Sequence, residues 1–201
     1  MLDSPFGRFV LRLGPLKEKI GEDEYLAVCQ LNELLVIERN QEGDWEIQSL
    51  NGAIDSLRNA ALTSAVTDWA KKDGTGIGFG AFTGFTLPNG AVRAPDLAWI
   101  RRERWEALSD NQKEKFAPIS PDFVVEVRAR HEALGDLQAK LEEYVANGSL
   151  LGWLIDPAER TVYIYREGAP TEVLRNAEAI NGEPLLRGLD VNLTELWNPA
   201  I

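Results

Sequence analysis

The stretch that most constrains the fold is "PDFVVEVRARHEALGDLQAKLEEYVANGSLLGWLIDP", residues 121 to 157. It reads as an apolar strand over 122–129, a helix over 132–147 stopped by Gly148, and a second apolar strand over 150–156. A strand, a crossover helix and a further strand form a right-handed unit whose strands are parallel neighbours. Such a unit requires a sheet with helices packed on it, an α/β layout. Phe123, Val124, Val125 and Val127 are β-branched or aromatic, as a strand interior prefers. Glu126 sits among them, and a buried carboxylate without a partner is costly enough to demand an ion partner or a chemical task.

The rest of the chain supplies further elements of the same kinds. A short helix is expected from Glu22 to Leu31, and "LLVIERNQEGDWEIQ" reads as a hairpin around Gly43. From Ile54 to Lys72, Ile54, Leu57, Ala61, Leu62, Ala65, Val66 and Trp69 fall on one helical face. "GIGFGAFTGFTLPNGAVRAPDLAWI" reads as two strands joined by a Pro88-Asn89-Gly90 turn. "RRERWEALSDNQKEKFAPI" is a polar, partly helical connection. After Asp156 a turn at Pro157-Ala158-Glu159 leads to the strand "TVYIYRE", and "LLRGLDVNLTELW" ends in a short strand and a terminal turn or helix. No repeat or linker divides the 201 residues, so the expectation is one domain over 1–201 with 1–20 as an N-terminal extension.

Composition narrows the function classes. No apolar run approaches the roughly 18 residues of a membrane span, and "MLDSPFGRFVLRLGPLKEKIG" is too broken by Pro, Gly and charge for a signal peptide. The single cysteine, Cys29, excludes an intrachain disulfide and suits a reducing cytoplasm. A net charge of -11 argues against a non-specific nucleic-acid coat, which needs clustered Lys and Arg. It leaves room for a nuclease, because metal ions bring positive charge of their own.

Two carboxylates stand out, Asp96 in "RAPDLAWI" and Glu126 in "DFVVEVRA". On adjacent strands they converge on one edge, and two carboxylates with water are hard oxygen ligands of the kind Mg²⁺ takes, leaving positions for phosphate. Arg128, two residues after Glu126, is expected on the same face of the strand. Lys140 lies on the following helix beside Gln138 and one turn before Tyr144. A carboxylate pair with a nearby cation is the minimum for metal-assisted phosphodiester hydrolysis. Each residue also has a plainer reading. Asp96 after Pro95 can begin a strand, Glu126 can pair with Arg128 or Lys140, and Lys140 can be a surface lysine paired with Asp136. Asp122 reads as opening its strand, His131 as a polar loop residue, and "RRERW" as a solvated helix face or a local basic patch for DNA.

"LPNGAVRAPDLAWI", "PDFVVEVR", "DLQAKLEEYVANG" and "LGWLIDP" resemble, in order and spacing, the Uma-two-type endonuclease family of the restriction-endonuclease-like PD-(D/E)XK superfamily. The resemblance runs from about residue 16 to "LTELW". It implies a mixed central sheet flanked by helices and a DNA endonuclease using Mg²⁺, or Mn²⁺ in its place. It makes Asp96 the metal-binding aspartate, Glu126 the acidic residue of the (D/E)XK element, and Glu38 in "VIERNQEG" a further ligand or structural carboxylate. The family's XK lysine falls at position 128, here Arg, and Lys140 matches a lysine on the next helix that stands in for it. Arg is effectively always protonated, whereas a Lys is tunable by burial. Lys140 is therefore expected to be the catalytic cation that assists the attacking water, with Arg128 as a phosphate or carboxylate partner. The chain departs from the family pattern at "RARHEAL", where His131 and Glu132 replace small residues of a Ser-Pro-Ser-like turn. Members of the superfamily often dimerise, so a homodimer is expected too. Two other classes fit: a catalytically degenerate scaffold acting as a binding module, and a phosphoesterase acting on RNA or a small phosphate ester.

Overall fold

The computed structural model describes residues 8–48 and 52–199. Residues 1–7 of the expected N-terminal extension lie outside the described residues. The chain opens with β1 (Phe9–Leu11), a 3₁₀ turn (Gly14–Lys19) and α1 (Glu22–Leu31), followed by β2 (Val36–Arg39) and β3 (Trp45–Gln48). Next come α2 (Ala53–Asp73), β4 (Gly76–Gly80), β5 (Phe85–Thr86), β6 (Val92–Arg93) and β7 (Leu97–Arg101). Two short helices, α3 (Arg102–Glu106) and α4 (Asp110–Lys113), lead to β8 (Phe123–Val127), α5 (Leu134–Ala146) and β9 (Leu151–Asp156). The chain finishes with β10 (Thr161–Arg166), β11 (Glu172–Arg175), β12 (Ala179–Gly182), β13 (Leu186–Asn192) and α6 (Thr194–Trp197).

The strands form a six-stranded sheet in the order β11-β10-β9-β8-β7-β4, a five-stranded sheet in the order β1-β3-β2-β6-β5, and the pair β12-β13. In the larger sheet only β8 and β9 are parallel, Phe123 opposite Leu151 through Val127 opposite Ile155, with α5 as their crossover. This is the strand–helix–strand unit the sequence dictates. The helix stops where Gly148 takes φ +102, a conformation that side-chain-bearing residues rarely adopt.

Between Gly76 and Arg101 the sequence reads as two strands, but the structure has four. β4 and β7 pair in the larger sheet, Gly76 opposite Arg101. Between them the chain leaves that sheet to make the β5–β6 hairpin of the smaller one. Phe82, with φ +68, turns the chain out. Pro95, which has no N–H for a ladder bond, lies where it returns. β11 and β12 are also absent from the sequence reading; β11 is a short, mostly exposed edge with no alternation to detect.

Alternation along β8 divides its side chains between two layers. Phe123, Val125 and Val127 join Trp99 and Trp153 and pack on Leu62, Val66 and Ala70 of α2. Val124 faces the other way, with Leu137, Leu141 and Tyr144 of α5. Glu126 shares that second face, beneath α5.

Candidate active site

The register that sets Leu97 opposite Val125 in the antiparallel β7–β8 pair puts Asp96 opposite Glu126 when continued by one residue. The Asp96 carboxylate confirms the approach: Oδ2 accepts the backbone N–H of Val127 at 2.8 Å. Its Oδ1 accepts from Asn59 Nδ2 of α2 at 2.7 Å. Asp96 and Glu126 together line a small, partly open cavity of about 40 Å³, walled also by Val36, Gln48, Phe82 and Glu132. That volume exceeds the roughly 10–15 Å³ needed for one water-sized particle.

Lys140 is 3% exposed and therefore not the surface lysine of the plainer reading. Its ammonium lies 2.8 Å from Glu126 Oε1 and 2.8 Å from Glu38 Oε1. Tyr144, one helical turn on, donates its hydroxyl to the same Glu126 oxygen at 3.3 Å. Glu126 Oε2 has no protein hydrogen bond among the described residues. Glu38 reaches in from the smaller sheet, is fully buried, and also accepts the N–H of Ala94 at 2.7 Å. Behind it Arg93 bonds Glu143 at 2.5 Å and pairs with Glu46, which also meets Arg8. A larger cleft of about 600 Å³ on that side of Lys140 is lined by these paired charges and reaches neither Asp96 nor Glu126.

The electrostatics follow from burial against charge. Burial pushes Glu126 up to about 8; Lys140 opposes the rise, while Asp96 and Glu38 add to it. Burial likewise raises Asp96 to about 6 against the Val127 N–H and Lys140, with Glu132 adding negative charge. For Glu38, burial is outweighed by Lys140 and Arg93, and its pKa is lowered. For Lys140, burial is outweighed by Glu126 and Glu38, and its pKa is raised. The neighbouring Glu126 and Glu38 thus favour the cationic form of Lys140 over the neutral amine.

The structure brings Glu38, Asp96, Glu126 and Lys140 into one cluster and leaves Arg128 out. The β8–β9 ladder carries on one step past Val127, where the Arg128 N–H donates to the Ile155 carbonyl at 2.8 Å. Its side chain instead pairs with the buried Asp156 at 2.7 Å and donates to the Glu132 carbonyl at 2.9 Å. Asp122 is buried at the opposite end of β8, where it accepts the Arg101 N–H at 2.9 Å and pairs with Arg104 at 2.9 Å. Part of the "RRERW" patch is therefore spent on a structural carboxylate. His131 is exposed in the loop after β8. Asn59, Gln48 and Phe82 were not legible as site residues. Asn59 reads as one more polar helix position, and Gln48 and Phe82 as ordinary strand residues.

Among the described residues no three His, Cys, Asp or Glu side chains are disposed around a single ion. Two carboxylates are nonetheless the protein share typical of Mg²⁺, which keeps several waters and takes substrate phosphate for the rest. One feature fits such an ion: Asp96 and Glu126 line one cavity, and a divalent cation there would offset the charge of the two when ionised.

Residues 22–194 match the Uma2 family, described as "Putative restriction endonuclease". The fold resembles the crystal structure of a protein from Anabaena variabilis ATCC 29413 titled a putative nuclease belonging to DUF820, with a TM-score of 0.68 and 23% identity. The likeness covers 81% of this chain and 89% of that one. No curated protein matches the sequence. No helix among the described residues is long and apolar enough to cross a membrane.

Proposed function

Because the chain belongs to the Uma2 family of nuclease-type proteins, we propose that it is a Mg²⁺-dependent endonuclease that hydrolyses DNA phosphodiester bonds. The observation that carries this reading is the pairing of Asp96 and Glu126 across β7 and β8 on one small cavity, with a buried cation on the far oxygen of Glu126.

In this reading Asp96 and Glu126 hold the metal, with Mn²⁺ an accepted substitute. When bound, the ion supplies a water of lowered pKa and offsets charge on the phosphate. Asn59 and the Val127 N–H fix the Asp96 carboxylate, while Lys140 and Tyr144 fix one Glu126 oxygen and leave the other for the cavity. Lys140, held protonated by two carboxylates, does not accept the proton of the attacking water. It positions Glu126 and lends positive charge to a site on an acidic protein. Glu38 acts through Lys140, not on the metal.

The β1 edge supports a homodimer. Phe9, Val10 and Leu11 are exposed on an outer strand of the smaller sheet, and apolar edges of this kind pair with second copies.

The test is cleavage of supercoiled plasmid in Mg²⁺ and in Mn²⁺ by wild type, Asp96→Ala and Glu126→Ala, with folding matched by circular dichroism. Metal-dependent cutting by wild type and none by either variant is expected. Intact plasmid throughout, together with no calorimetric binding of Mg²⁺ or Mn²⁺, would refute the enzyme and leave a scaffold that binds without cutting.

A further inference from the structure

Beside the carboxylate cavity lies a second pocket, of about 210 Å³, whose wall includes Glu38 and Arg93 of the charge cluster but whose space the chemistry above leaves free. The two share Val36, Phe82 and Ala94 as common walls. The far side is made by Leu26 and Cys29 of α1 and by Phe116. This is smaller than the roughly 300–1,000 Å³ that drug-sized ligands fill. Its size and mostly apolar, two-phenyl lining suit one flat heterocycle. Gln30 and Glu33 bring an amide and a carboxylate to the wall, groups that hydrogen-bond to a base edge.

Phe82 is unusual on two independent counts. It is 61% exposed although it walls both cavities. Its φ of +68 is a conformation that a bulky residue adopts only at a cost. Glycine would relieve that strain, yet the position carries an aromatic ring at the mouth of a site proposed to bind nucleic acid. Exposed aromatic faces are where unstacked bases sit.

We propose that this pocket receives an unpaired nucleobase next to the scissile phosphate, stacked on Phe82, so that the preferred substrate is nucleic acid with an unstacked base rather than regular duplex. The inference rests on the nuclease reading and specifies its substrate. A phosphate at Asp96 and Glu126 has its neighbouring base within reach of a pocket that shares three walls with the metal cavity. In a regular duplex that base stays in its stack and Phe82 remains uncovered.

The experiment measures binding by fluorescence anisotropy with Ca²⁺ in place of Mg²⁺, strand integrity being checked on a denaturing gel. A matched duplex is compared with the same duplex carrying one unpaired 2-aminopurine. Wild type is expected to prefer the unpaired substrate by roughly 5- to 100-fold, the span expected for one base–aromatic stack, with a change in 2-aminopurine emission. Phe82→Ala should remove both the preference and the emission change, and Phe82→Tyr should retain them. Phe82→Gly should raise the Tm while losing the preference, separating a strained functional ring from a structural one. Equal affinity for the two substrates, or a preference that survives Phe82→Ala, overturns the inference, as does failure to bind either oligonucleotide. The plasmid assay judges the nuclease reading separately, so cutting that depends on Asp96 but not on Phe82 removes this proposal alone.

Discussion

Glu126 keeps its proton far above the ordinary carboxylate range because it is buried, and because Asp96 and Glu38 lie close by. In metal-free protein the folded state therefore holds protons on Glu126 and Asp96 that the unfolded chain has already released. Stability from this pair is full at low pH and falls as pH rises from about 4.5 toward about 8. Glu38, whose pKa is lowered, acts in the opposite sense: its contribution is present above the ordinary value of 4.5 and is lost as pH falls through the folded value. Thermal melts in EDTA should accordingly show Tm declining between about pH 5 and about pH 8. Mg²⁺ should flatten the decline, since it favours the deprotonated pair. A Tm that rises over that window in EDTA would show that burial does not control these carboxylates. Glu126→Gln should raise the metal-free Tm near the upper end of the window and abolish metal binding in calorimetry. Lys140→Met is predicted to go the other way, losing about 3–5 kcal/mol in urea denaturation, because it removes a buried cation on which the ionised, fully buried Glu38 depends.

Elements, rather than single residues, decide how much of this could be read in advance. The β8–α5–β9 unit was legible because its apolar runs and the Gly148 stop are local signals, and its parallel pairing followed from chain length and handedness. Asp96 and Glu126 were legible as carboxylates out of place in apolar strands. That Lys140 is buried was not legible, because i−4 spacing to Asp136 offers an equally good surface partner. The choice was made by Glu38, which comes from another sheet and leaves no trace in the sequence around Lys140. Arg128 was legible as a carboxylate partner, but not that its carboxylate is Asp156 at the end of β9, because that pairing depends on the β8–β9 register. The β4–β7 pair shows a constraint of a third kind. A Cβ at Gly76 would lie 2.3 Å from the Trp99 ring and 2.5 Å from the Ile100 carbonyl, so a side chain there would collide with β7. Gly76→Ala should cost about 1–3 kcal/mol by overpacking, measured by urea denaturation. Metal affinity should be unchanged in the folded fraction, because Gly76 pairs with Arg101, at the end of β7 away from Asp96.

At the scale of the whole molecule, the cluster sits at the seam between the two larger sheets. Glu38 belongs to one, Glu126 to the other, and Lys140 bonds both. The outer limit of the smaller sheet is β1, with three exposed apolar residues. Analytical ultracentrifugation should show self-association that Val10→Lys abolishes, since a charge on an outer strand blocks edge pairing. A monomer at all concentrations would dismiss the homodimer without touching the metal site. The seam also imposes an order on when the cluster can exist. Along the chain its members appear as Glu38, Asp96, Glu126 and finally Lys140, each on a different segment. During synthesis on the ribosome the carboxylates emerge first, and they remain without their shared cation until α5 has left the exit tunnel. Fragments truncated before that helix carry all three acids but lack the lysine that joins Glu38 to Glu126, so they cannot assemble the cluster.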